Sequence, residues 1–185
     1  MLVLLVLVVL VIVWAIAIYN RLVTRRQQTE EGWSGIDVQL KRRSNLIPNL
    51  VETVKGYASH EQETLDNVTA MRAKADAAPG DSPEARGQAE SALSGALVQL
   101  FAVAENYPDL KASSNFIELQ AALAEVEDQI QMARRYYNGA VRNMNILVDS
   151  FPSNIVAKRY DFQKAVYFEI DDPADKAVPK VEFGS

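Results

Sequence analysis

The chain has no cysteine and a single histidine, His60, in 185 residues. The missing cysteine excludes disulfides, thiolate metal sites and a cysteine nucleophile. The lone histidine leaves little with which to build a metal centre. In "YASHE" the position four residues after His60 is Thr64, so the two-histidine zinc-protease motif is missing. The eight glycines and seven prolines are scattered, with no grouping into turns at strand spacing. No glycines form a phosphate-binding loop or a dinucleotide fingerprint, and no serine stands in a glycine-flanked nucleophile elbow. The formal net charge of −5 speaks against general nucleic-acid binding, which needs a concentrated basic surface.

Charge is also missing from the first stretch, "MLVLLVLVVLVIVWAIAIYN", up to Arg21. About 20 apolar residues at 1.5 Å each span roughly 30 Å, the thickness of a bilayer core. A signal peptide would carry a basic start, a shorter apolar core and a small-residue cleavage site. The run from Met1 to Ile18 has none of these, so it is expected to be a retained transmembrane anchor over residues 1–20. Tyr19 suits an aromatic belt, and Arg21, Arg25 and Arg26 come directly after it. The positive-inside rule then predicts a single-pass protein with its N-terminus outside and its C-terminal domain cytoplasmic.

Beyond the anchor the chain reads as all-α. Residues 21–35, "RLVTRRQQTEEGWSG", continue polar all round as a juxtamembrane connector, in which Gly32 and Gly35 are expected to loosen the junction. Trp33 is read as a packed aromatic. A helical bundle is expected over 36–159. Its first seam is Ile36, Leu40, Arg43, Ile47, Leu50, Val54, Tyr57, Glu61, Leu65 and Val68, in alternating steps of four and three. The phase does not slip across Pro48, which predicts one long helix kinked there. The alternative is a break, with Asn45 capping a new helix. Lys41 and Arg42 fall off the seam and are expected in solvent. Arg43 and Glu61 fall on it and need partners, because an unpaired buried charge costs several kcal/mol.

Pro79-Gly80 marks a turn, with Ser82 as N-cap and Pro83 at the first helical position. Leu93, Leu97, Leu100 and Ala104 mark the next apolar face, and Pro108 is expected to end that helix. Asn115 and Glu118 fit a capping box. The clearest seam comes next: Phe116, Leu119, Leu123, Val126, Ile130, Ala133, Tyr137, Ala140, Met144 and Leu147. "FPSN" ends it, and "NIVAKRY" predicts a short helix. The tail, 160–185, is expected to be extended. Val181 and Phe183 are expected to dock on the bundle or on a neighbouring subunit, and Phe168 is a further candidate contact to such a subunit.

Beside the last seam runs a polar line, Gln120, Glu127, Arg134 and, one turn on, Asn138. With Arg43 and Glu61 these six read best as a structural network that pairs charges between helices and fixes their register. Arg43 with Glu127, or Glu61 with Arg134, are candidate pairs. The rival reading is an enzyme or metal site built from Glu61, Glu127 and His60. No cofactor and no catalytic residue is expected.

Several motifs stand in a recognisable order behind the anchor: "IDVQLKRRSNLIPNLVETVKGYASHE", "ENYPDLKAS", "ARRYYNGAVRNMN", "FPSNIVA" and a closing "PKVEF". In these the chain resembles the bacterial LemA family over nearly all of its length after about residue 17. One departure is Ser44-Asn45, where an acidic residue often precedes "LIPNLV". The resemblance implies an α-helical antiparallel up-and-down bundle on a membrane anchor, with the bundle in the cytoplasm. It supplies no enzyme activity. Members have been linked to sensing or to membrane organisation, including magnetosome-associated relatives.

The combined expectation is a membrane-anchored, non-enzymatic helical scaffold acting by protein–protein contact and self-assembling as a homo-oligomer. An adaptor or sensor that binds another membrane protein is the alternative.

Overall fold

The computed structural model describes residues 1–170. Among them are six helices and no strand: α1 Leu2–Tyr57, α2 Gln62–Ala77, α3 Pro83–Ala104, α4 Pro108–Lys111, α5 Ser114–Asp149 and α6 Ser153–Arg159. The all-α helical bundle is the fold. Two compact units form, neither of them contiguous: Met1–Val38 with Ile130–Tyr167, and Gln39–Gln129 with the segment from Phe168.

In the second unit α1, α2, α3 and α5 alternate in direction. Ser44 on α1 bonds Asp76 on α2, Asn67 on α2 bonds Gln99 on α3, and Phe101 on α3 meets Phe116 on α5. Each pairing closes a hairpin. Ile47, Leu50, Val54, Leu65, Leu93, Leu100 and Phe116 fill its core. Ser82 caps α3 as its sequence predicts, accepting from the Ala85 amide.

Pro48 lies inside α1. A proline has no N–H, so the carbonyl four residues earlier, that of Ser44, loses its helical donor. Arg72 of α2 donates its Nε–H to that oxygen at 3.0 Å and to the Ser44 hydroxyl at 3.0 Å. A neighbouring helix thus satisfies the buried group, and α1 continues.

Three local expectations are corrected. The first seam does not continue as one helix through Tyr57 and Glu61. Here α1 ends at Tyr57, which is exposed, and a turn carries Ala58 inward before α2 folds back. Pro108 does not merely stop a helix, because it opens α4. Helix α5 begins at Ser114, so Asn115 lies inside its first turn and does not cap it.

In the first unit α1 and α5 run side by side, with Trp33 packed on Tyr137 at 5.4 Å between ring centroids. The connector is not polar all round, for Leu22, Thr29 and Gly32 are buried on one stripe. Nor does Gly32 loosen it. A Cβ there would stand 3.1 Å from the Tyr137 Cα, so glycine permits close approach of the two helices. Leu22, Met144, Val156, Ala157 and Phe162 form this unit's own core. After α6, Asp161 adopts a left-handed φ of 56° and turns the chain. The stretch after that turn is pinned to α5: the Asn145 side chain exchanges two hydrogen bonds with the Ala165 backbone, at 2.8 and 3.0 Å.

Candidate functional site: a buried ionic cluster

Arg43 is the largest fully buried side chain of the described residues, at 2% exposure. The first-seam phase puts it inside the bundle, and its fork meets three groups there. One Nη donates to Glu90 at 2.5 Å. The other donates to Glu127 at 2.9 Å and to the Ser94 hydroxyl at 3.1 Å. Glu90, itself 2% exposed, takes a further bond on its second oxygen from Arg86 Nε at 3.0 Å. Two guanidinium groups thus meet two carboxylates in a charge-balanced cluster joining α1, α3 and α5.

Desolvating Arg43, Arg86 and Glu90 is costly, and close pairing offsets that cost, while Glu127 stays 36% exposed. Removing one buried partner would leave the other charge uncompensated. Both Glu90 oxygens are already bonded to arginines, and its burial leaves a substrate no approach to it. Among the described residues no three His, Asp or Glu side chains converge as metal ligands.

Of the six residues named from sequence, Arg43 and Glu127 are brought together, one of the two candidate pairs. Gln120 is exposed, at the edge of a hollow of about 290 Å³ that Arg43 and Glu127 also line. Glu61 and Arg134 take other partners than each other. Glu61 accepts from the Tyr107 hydroxyl at 2.9 Å, and Arg134 donates to Gln131 at 2.6 Å. Arg134 and Asn138 are half-buried in the first unit. His60 is exposed. The hydrogen bond to Glu61 holds the Tyr107 phenol above its ordinary pKa, because ionisation would set two anions together. Burial pushes Tyr137 up to about 12, and its hydroxyl donates to the Val166 carbonyl at 2.7 Å.

Glu90 and Arg86 are not among the residues expected from sequence. A signal existed: the α3 seam of Leu93, Leu97, Leu100 and Ala104 extends backwards by the same steps to Glu90 and Arg86.

Phe168 corrects another expectation. It is 0% exposed, so it is not a free surface for a second copy. The segment carrying it crosses α3 at Gly87, where a Cβ would stand 2.2 Å from the Glu169 carbonyl oxygen. Val181 and Phe183 lie outside the described residues.

The LemA family model matches residues 32–183, which contain every residue of this cluster. The chain belongs to the LemA family. It is similar to magnetosome protein MamQ 2 of Paramagnetospirillum magneticum, at 26% identity over 86% of this chain and 68% of that protein. It is also similar to protein LemA of Metamycoplasma hominis, at 30% identity over 83% of this chain and 69% of that one. Magnetosome protein MamQ of Magnetospirillum gryphiswaldense is 22% identical over 86% and 68%. For this LemA-family chain, one described helix, α1, is long and apolar enough to cross a membrane. The relatives and that helix together indicate a membrane-associated protein.

Proposed function

We propose that this chain is a non-catalytic scaffold, anchored by the start of α1 and acting through contacts with other proteins, copies of itself foremost. The observation that carries this reading is the mutual pairing of its buried charges. Arg43 bonds Glu90 and Glu127, and Arg86 bonds Glu90. Glu90, buried between two arginines, is thereby given over to holding helices in register. A single span confines copies to two dimensions, which raises their effective concentration. The magnetosome names of two relatives fit a role in organising a larger structure. Arg21, Arg25 and Arg26, directly after the span, favour a cytoplasmic bundle at the inner membrane with the N-terminus outside.

Co-expression of two differently tagged full-length copies tests the reading. Capture of one copy should bring down the other from solubilised membranes. Capture of a different membrane protein without the second copy would favour an adaptor. Protease added to intact cells should spare the C-terminal part; its digestion would overturn the orientation.

A further inference from the structure

The corner between α5 and α6 stands beside the apolar run of α1. Trp14, Ile18 and Arg21 share a hollow of about 410 Å³ with Leu147, Phe151 and Ser153. Ala15 and Ile18 pack on the same core that Met144 and Val156 build. Tyr19 lies edge-on to Tyr160 at 4.9 Å and to Phe162 at 5.6 Å. The corner and residues 14–21 therefore share one level.

That level is set by where charge begins. The apolar run ends at Tyr19 and Arg21 brings the first charge, so Trp14 to Ile18, just before it, occupy the inner edge of the hydrocarbon. Whatever touches them lies at the same depth. The corner is built for that place. Phe151 is 80% exposed, Ile155 57% and Tyr160 58%, an apolar group that the described chain leaves largely open. Lys158 and Arg159 occupy the last turn of α6 next to it. Apolar tips flanked by cations match the acyl boundary and headgroups of an anionic leaflet.

We infer that the α5–α6 corner is a second membrane contact: Phe151, Ile155 and Tyr160 enter the lipid interface while Lys158 and Arg159 meet anionic headgroups. This rests on the reading of α1 as a span. The contact would fix the tilt and rotation of the anchor relative to the bilayer, which a lone span does not.

The natural absence of cysteine makes the test direct. Full-length chains carrying Phe151→Cys, Ile155→Cys, Leu7→Cys or Met132→Cys are labelled with an environment-sensitive fluorophore. They are then reconstituted in phosphatidylcholine–phosphatidylglycerol bilayers with brominated acyl chains. Met132 is an exposed position on α5, roughly 22 Å along the helix from Leu147. Labels at 151 and 155 should lose emission with the Leu7→Cys control, and the label at 132 should not. Replacing Lys158 and Arg159 by Glu should reduce the loss at 151 in anionic bilayers. If 151 and 155 stay as bright as 132 while position 7 is quenched, the corner is not in lipid. If position 7 is also bright, the span itself is wrong and the corner proposal falls with it.

Discussion

Arg72 reaches from α2 to the main-chain oxygen of Ser44 on α1, at 3.0 Å, and supplies the hydrogen bond that Pro48 cannot. A helix that should break at its proline is carried through by its neighbour. The pair predicts a coupling. Arg72→Met leaves a buried carbonyl unsatisfied and should cost about 1–3 kcal/mol. In a Pro48→Ala background the helix restores its own donor, and the same substitution should cost visibly less. Denaturant melts of the four variants measure this; equal costs in both backgrounds would refute it.

The ionic cluster predicts unequal acids. Glu90→Gln strips a fully buried partner from two arginines and should destabilise by about 3–5 kcal/mol. Glu127 is 36% exposed, so water offsets part of its loss, and Glu127→Gln should cost only about 1 kcal/mol. Thermal melts rank them. An enzyme built on Glu127 would give a different pattern, function lost with stability intact.

Two α3 glycines predict opposite signs. Gly87→Ala forces a Cβ against the Glu169 carbonyl and should cost about 1–3 kcal/mol, with faster proteolysis after Phe168. Gly95 has nothing within 4 Å of its Cβ position, so Gly95→Ala should gain about 0.5–1 kcal/mol from helix propensity.

Alkaline pH tests the buried phenol. The folded pKa of Tyr137 lies above the ordinary 10.0, at about 12. The folded state then holds its proton where the unfolded state has lost it. That contribution to stability is complete below pH 10 and fades as pH climbs towards 12. Ultraviolet titration should find a late-ionising tyrosine that Tyr137→Phe removes.

The α5 seam was legible because its apolar residues keep step without interruption, and seven of its ten positions are buried. Pro48 inside a helix was legible for the same reason, since the phase ran through it. The turn between α1 and α2 was not, because Leu65 and Val68 happen to keep the same step across it and no Pro-Gly pair marks it. Glu90 and Arg86 hid as charged residues that look solvent-facing until the α3 seam is run backwards. The packing stripe of the connector hid behind Thr29 and Gly32, which are too small or polar to register as core. Phe168 docks through a contact far away in sequence, and no local period announces that.

Self-assembly is the claim with most resting on it, and particle mass addresses it directly. Full-length protein, purified in mild detergent, is weighed by mass photometry with the detergent contribution subtracted. Discrete particles at multiples of the 20.5 kDa chain are predicted. A single 20.5 kDa species at every concentration would contradict it.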